Sequence, residues 1–337
     1  MAIKQALLDQ EIAKTKAFLA QNGLKYDADI TQTLYYEEDG EIIATISRSN
    51  HIIKCLAVRK DRRGENLAGV ILSELLSAMR LEGIYHYQVF TKTEYVGVFQ
   101  NLGFQLLAAT ANVAILEAGE ARIEEKIAAI RVNIAKKYGI ASLDKSIGAI
   151  VVNCNPMTKG HYQLILEAAK NHDIMLVFVV EEDQSVFTYA ERFAFVENAL
   201  KTYPNIMVLP STKYMVSQLT FPSYFLKTID EAEYEHAMLD AILFRDHFMI
   251  PLNIQKRYIG GESEPVMVAY NKILKSTLGE RIVLRDRFCL DKETISASLV
   301  RKLIFENKIA EAMKYIPEAN HELFLEVAKR KYAESKR

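Results

Sequence analysis

The chain has 337 residues, half of them hydrophobic and a quarter charged, which is long for one core and predicts two globular domains. Forty-two basic residues face forty-three acidic ones, a net charge of -1, so composition gives no electrostatic footprint for nucleic acid or an anionic membrane. Cys55, Cys154 and Cys289 are dispersed and odd in number, which supports neither a disulfide framework nor a CxxC zinc site and fits a reducing cytoplasm. Gln5, Asp9, Gln10 and Glu11 stand where a signal peptide needs its apolar region, and no apolar run reaches the about 18 residues of a membrane span.

In chain order, strand character falls at Thr33 to Tyr36, Ile42 to Ile46 and Ile52 to Val58, separated by turns such as Glu38-Asp39-Gly40. A helix follows from about Gly64 to Arg80, with Leu67, Val70, Ile71, Leu75 and Ala78 on one face. A strand near Tyr85 to Phe90 and a short helix ending at Gly103 complete this half. Residues 121–138 carry Ile123, Ile127, Ile130 and Ile134 on one helical stripe, and a boundary near residue 140 divides the chain into 1–140 and 141–337.

The second half alternates strand and helix. Ile147 to Asn153, a helix to Lys170, Ile174 to Val180, a helix around Ala190 to Leu200 and Ile206 to Leu209 predict a parallel sheet with right-handed crossovers. A longer helix, a strand at Arg257 to Ile259, a helix near Ala269 to Leu278 and a strand at Ile282 to Leu284 continue the pattern. From Ser296 onward the chain reads as helices.

The run Asn153-Cys154-Asn155-Pro156-Met157-Thr158-Lys159-Gly160-His161 lies between a buried-strand pattern and an amphipathic helix. A helix start in that setting offers backbone N–H groups and a positive dipole end to a phosphate. Thr158 has the chemistry of a cap or a phosphate donor, and His161, one turn later, that of an imidazole donor to a phosphate oxygen. The same residues also fit a plain N-cap and a surface histidine. A second helix start, Ile295-Ser296-Ala297-Ser298-Leu299-Val300-Arg301, places Ser298 and Arg301 at i and i+3 on one face, where a hydroxyl and a guanidinium make a second phosphate grip.

Thr158-Lys159-Gly160-His161 resembles the T/HxGH signature of the nucleotidyltransferase superfamily, and ISASLVR resembles its ISxSxxR loop. The stretches GAIVVNCNPMTKGH, LTFPSYFLK, RYIGGESEP and ISASLVRK, in that order and spacing, are similar to the citrate (pro-3S)-lyase ligase family. The resemblance covers essentially the whole chain. It implies an α/β protein, with a GNAT-like α+β domain followed by a Rossmann-like nucleotidyltransferase domain of parallel sheet and C-terminal helices.

The resemblance implies an acid-thiol ligase that uses ATP and Mg2+. Acetate attacks the α-phosphorus, pyrophosphate leaves, and the acetyl group passes from acetyl adenylate to the thiol of the acyl carrier subunit of citrate lyase. That subunit bears an arm derived from dephospho-coenzyme A. Carried over, Thr158, His161 and Arg301 are the catalytic candidates. Asn153, Asn155, Gly260, Glu262, Ser296 and Ser298 join them around the nucleotide. Tyr224 and Lys227 of LTFPSYFLK are candidates for the acetate pocket. No side-chain set is expected to ligate the metal.

Val58-Arg59-Lys60-Asp61-Arg62-Arg63-Gly64-Glu65-Asn66-Leu67-Ala68 resembles the pyrophosphate turn of GNAT acetyltransferases, which makes Arg63, Gly64 and Ala68 candidates for holding the carrier arm. Asn66 replaces the usual central glycine. Phe99 stands where many GNAT enzymes have a tyrosine general acid, so binding of the arm rather than acyl transfer is expected of this half. The competing readings are a nucleotidyltransferase that makes a dinucleotide cofactor and a non-catalytic complex-binding protein.

Overall fold

The computed structural model of the protein describes residues 2–139, 144–181, 185–215, 229–262, 264–286, 288–290 and 293–336. By spatial contact it divides into two units, one made from 1–125 with 218–242 and the other from 126–217 with 243–337.

The first unit is built on a seven-stranded sheet ordered β1-β2-β3-β4-β5-β7-β6. Its strands are β1 (Ala2–Gln5), β2 (Gln32–Glu38), β3 (Glu41–Ser49), β4 (Ile52–Val58), β5 (His86–Lys92), β6 (Gln105–Ala109) and β7 (Val113–Gly119). Helices α1 (Asp9–Gln21), α2 (Leu67–Leu81) and α3 (Val96–Asn101) complete it. Helix α2 buries Ile71, Leu72, Leu75 and Met79 in a core shared with Ile46, Val89 and Phe104. All neighbouring strands are antiparallel except β4 and β5, whose parallel ladder is confined to Ile52 with Gln88 and Ile53 with Val89. Past Ile53 the ladder ends, and the backbone between these two strands opens. This is the α+β arrangement expected for a GNAT-like domain.

The sequence pattern left β1, α1, β6 and β7 without an assignment. Strand β1 is a short edge strand with two of its four residues Lys and Gln, and β6 reads QLLAA, where alanine gives little strand signal. The fourth expected strand, near Tyr85 to Phe90, is present as β5, and the helix expected from Gly64 starts at Leu67.

Helix α4 (Ile123–Tyr138) leads toward the second unit, whose sheet is ordered β10-β9-β8-β11-β12 and is parallel throughout. Its strands are β8 (Ile147–Val152), β9 (Ile174–Val179), β10 (Ile206–Pro210), β11 (Ile254–Gly260) and β12 (Ile282–Arg285). Between them run α5 (Lys159–Ala169), α6 (Tyr189–Leu200) and α8 (Pro265–Leu278), and α9 (Ala297–Phe305), α10 (Ile309–Ala312) and α11 (His321–Glu334) follow; α7 (Ile229–Phe244) lies between β10 and β11 in sequence, but through residue 242 it belongs to the first unit. Strand β9 is buried at every position, as a continuous apolar run in a parallel sheet covered on both faces requires. The parallel strands and C-terminal helices agree with the expected Rossmann-like nucleotidyltransferase architecture.

The order of strands matters for function. From β8 the chain builds outward through β9 to β10, then returns to lay β11 on the other side of β8 and β12 beyond it. The direction of winding reverses between β8 and β11. In open parallel sheets the crevice at the carboxyl ends of such a pair is where ligands bind. The run from Asn153 to His161 leaves β8 at that end, and Gly260 closes β11 beside it.

The amino ends of the same strands are tied statically. His172, just before β9, bonds Ser146 Oγ at 2.7 Å through Nδ1 and Tyr258 OH at 3.0 Å through Nε2. A Cβ on Gly148 would lie 2.5 Å from the His172 ring, so glycine is required there. Burial depresses the His172 pKa, Asp173 opposing that shift and Lys256 reinforcing it.

Candidate active site

Thr158 is the N-cap of α5, and it is buried. Its hydroxyl faces the His161 backbone N–H at 3.5 Å and His161 Nδ1 at 3.0 Å, while its own N–H donates to Nδ1 at 3.1 Å. An N–H donor at Nδ1 needs a lone pair there, so the neutral ring carries its proton on Nε2. The cap thus fixes both the orientation and the tautomer of His161. An Nε2–H donor at a helix start is the group required to meet a phosphate oxygen.

The turn before it is held from below. Asn153 receives the Arg192 guanidinium on both its backbone oxygen, at 2.9 Å, and its Oδ1, at 2.8 Å. Asn155 Oδ1 accepts the Phe187 N–H at 3.1 Å. Between them Cys154 adopts φ +50°, the left-handed region that a side-chain-bearing residue occupies only when its surroundings enforce it. The two asparagines therefore shape the turn with their side chains.

The second motif arrives at the same place. Ser296 caps α9 by accepting from Leu299 N–H at 3.1 Å. Arg301 donates to the Asn155 carbonyl at 2.6 Å and to Ser298 Oγ at 2.9 Å. Ile295 also lies close to the first turn of α5, 3.9 Å from where a Gly160 Cβ would be. Residues about 140 positions apart in sequence thus share one turn. Burial pulls the Arg301 pKa below the ordinary arginine value, which leaves a half-buried guanidinium beside His161's helix. Gly260 ends β11, its carbonyl accepting from Asn271 Nδ2 at 2.9 Å, and Glu262 follows two residues later.

A histidine on α5 and an arginine with its serine on α9 are thus brought to the one turn that follows β8. The profile described as Citrate lyase ligase C-terminal domain matches residues 147–324, more than half of the chain. A citrate (pro-3S)-lyase ligase from Haemophilus influenzae is 30% identical over 322 residues, spanning 91% of this chain and 93% of that protein. The chain belongs to the citrate lyase ligase family. A phosphopantetheine adenylyltransferase from Levilactobacillus brevis is 39% identical over 56 residues, 16% of this chain and 35% of that one. Among solved structures, a GNAT-family acetyltransferase from Staphylococcus aureus Mu50 is similar at TM-score 0.31 and 12% identity, covering 35% of this chain and 99% of its own.

The ligase carries a second feature, in its first unit. A cavity of about 610 Å³ opens where β4 and β5 part, and Arg63, Gly64, Ala68 and Phe99 are among its lining. Gly64 has φ +94° and Asn66 φ +58°. Asparagine tolerates the left-handed region better than other side-chain-bearing residues, which suits it to this position. The Asn66 side chain folds over the first turn of α2, where its Oδ1 would lie 2.6 Å from a Cβ on Gly69.

The charges around this cavity are unequally spent. Arg62 is held by Glu65, at 2.8 Å and 2.9 Å, and by Glu38. Lys54 is buried and held by Asp27 at 3.0 Å and Asp29 at 2.7 Å. Burial pushes Asp27 up against the pull of Lys54. Arg63 is exposed and has no ion pair among the described residues. Phe99 is buried edge-on to Phe104 with ring centroids 5.8 Å apart, and supplies no hydroxyl.

Tyr224 and Lys227, the acetate-pocket candidates, lie outside the described residues. Sequence reasoning passed over Arg192 altogether. Its only signal is a charged residue on the face of α6 that also carries Phe195, Val196 and Ala199. Among the described residues no cluster of three His, Cys, Asp or Glu side chains could hold a metal, and no helix is long and apolar enough to cross a membrane.

Proposed function

We propose that this ligase acetylates the prosthetic-group thiol of the citrate lyase acyl carrier, consuming ATP and acetate. Family membership supports the ligase activity and the use of a nucleotide. The observation that carries the nucleotide site is the convergence of His161 and Arg301 on the turn after β8, at the carboxyl ends of a parallel sheet.

In the first half-reaction an acetate oxygen attacks the α-phosphorus of ATP and the bond to the bridging oxygen breaks, releasing pyrophosphate. Negative charge grows on the leaving group and on the phosphoryl oxygens. His161 Nε2–H and the Arg301 guanidinium are donors suited to that charge, already oriented by Thr158 and by Ser298. Ser296 sets the first turn of α9, Asn153 and Asn155 hold the turn below, and Gly260 and Glu262 stand at the end of β11 as the ribose and adenine side. In the second half-reaction the carrier thiol adds to the acetyl carbonyl and AMP departs.

The neutral and cationic donors of this grip fit a metal ion carried on the nucleotide's own oxygens rather than on protein carboxylates. Mg2+ would then neutralise part of the triphosphate charge when bound. Acetate selection would rest with Tyr224 and Lys227. The free, buried Cys55 and Cys154 suit a cytoplasmic setting.

The first unit holds the carrier arm. Its cavity joins an apolar interior to Arg63 and the start of α2, which has no side-chain cap and so offers N–H donors to a diphosphate. Phe99 argues for binding over acyl transfer, because it brings no hydroxyl to the position where a tyrosine would protonate a departing thiolate. The domains are taken to divide near residue 140 in sequence.

Stoichiometry tests the reading. Incubation with ATP, acetate and thiol-form citrate lyase should restore lyase activity with one AMP and one pyrophosphate released per acetyl group. Release of ADP and phosphate would contradict an adenylate. AMP transfer to a phosphate acceptor instead of acetate would favour a dinucleotide-forming enzyme, the chemistry of the adenylyltransferase relative.

A further inference from the structure

The geometry points to Arg192 as the positioning residue that holds the Asn153-to-Asn155 turn in its working shape, and through that turn sets His161 and Arg301. The inference rests on the nucleotide site proposed above. Arg192 is fully buried on α6. Its Nε donates to the Phe187 carbonyl at 3.1 Å, and one terminal nitrogen reaches the Val180 carbonyl at 2.8 Å as well as both oxygens of Asn153.

Those acceptors belong to three pieces of backbone. Val180 follows β9, Phe187 precedes α6, and Asn153 follows β8, so one planar guanidinium pins the carboxyl ends of two adjacent strands to the start of a helix. A fork with fixed directions suits this better than an ammonium, which is a point charge on a flexible stem. Phe187 N–H in turn donates to Asn155, and the Asn155 carbonyl is the acceptor that Arg301 uses. Arg192 therefore reaches Arg301 through Phe187 and Asn155, and reaches His161 through Asn153 and the backbone of the turn.

The strain in the turn gives the arrangement its purpose. Cys154 is held at φ +50° with its side chain buried, a conformation that persists only where neighbouring contacts over-determine it. Without the fork, the turn is free to relax and the backbone carbonyl under Arg301 moves.

Arg192→Lys and Arg192→Gln test this in the full chain, against wild-type ATP–pyrophosphate exchange. In folded Arg192→Lys, kcat for exchange should fall by up to about 100-fold, the effect of a misplacement on the order of 1 Å in a catalytic constellation. KM for ATP should change by less than about threefold, since the lost term belongs to the transition state. Peptide-resolved alkylation reports the turn independently of activity. Burial pushes the Cys154 thiol up, so it should be inert in the wild type, as should Cys55, whose thiol is pushed up to about 12 in the other unit. The variant should label Cys154 faster and leave Cys55 unchanged. Wild-type kcat, unchanged Cys154 labelling, or equal rises at both cysteines would each overturn the proposal. Failure of both variants to fold would reassign Arg192 to stability and overturn it too. If wild type itself shows no exchange, the nucleotide reading fails first, and the labelling still decides whether Arg192 holds the turn.

Discussion

The helix starts at α5 and at α2 each follow a strand and a polar turn, and they are finished differently. At α5 the first turn is closed by side chains, Thr158 and His161 capping each other, so that the orientation and tautomer of the ring are fixed. At α2 the N-cap is Asn66 in the left-handed region with no side-chain cap bond, and the turn borders a cavity of about 610 Å³. A capped start presents a single preset group, which suits stabilising charge that appears only during reaction. An uncapped start presents several backbone donors, which suits a standing diphosphate. The same local architecture is thus finished with a side-chain cap in one unit and without one in the other, and the proposed roles, a catalytic grip and a cradle, follow that difference.

Breaking the capped start should have the largest effect. His161→Ala should slow ATP–pyrophosphate exchange by about two to three orders of magnitude, as loss of a preorganised donor to developing charge does. Arg301→Ala should follow, with exchange falling about 10- to 100-fold, the equivalent of one or two charge-assisted hydrogen bonds. Steady-state exchange kinetics with saturating acetate measures both.

Breaking the cradle should leave exchange intact. Arg63→Ala is expected to raise KM for the carrier about tenfold, the loss of one charge-assisted hydrogen bond, with the rate of adenylate formation unchanged. Equal losses in both half-reactions would show that the two helix starts are not separable. A smaller effect sharpens the conformational side of the comparison. Asn66→Ala should cost about 1 kcal/mol of stability because alanine strains at φ +58°, whereas Asn66→Gly should be close to neutral, by chemical denaturation.

The smallest effect lies at the opposite end of the second sheet. The folded His172 pKa is depressed below its ordinary 6.5, so its contribution to stability is present above the unfolded value and is lost as pH falls through the window beneath 6.5. His172→Gln should flatten the decline of Tm between about pH 7 and 5 while lowering Tm at pH 8, since the bonds to Ser146 and Tyr258 are altered.

The α5 site was legible in the sequence because its parts are local. A β-branched run, a polar turn and a helical stripe fix strand, turn and helix, and Thr158 and His161 fall one turn apart whatever the rest of the chain does. That Ser298 and Arg301 are neighbours on one helix face was legible, but the Arg301 contact with the Asn155 carbonyl depends on packing between residues 146 positions apart. Arg192 was invisible for a related reason. A charged residue in an amphipathic helix normally marks the solvent face, and only the tertiary fold reveals that this one points inward to backbone carbonyls. At α2 the left-handed backbone of Asn66 was not legible, since only the fold shows that this side-chain-bearing residue sits at φ +58°.

The central claim is that the turn after β8 activates a carboxylate through its adenylate, and acetate-dependent ATP–pyrophosphate exchange on the purified chain tests it most directly, since exchange reports reversible adenylation before any thiol is needed. Label should pass from pyrophosphate into ATP only when acetate is present, and His161→Ala should abolish most of it. Exchange that ignores acetate, or that survives the loss of His161, would contradict the account.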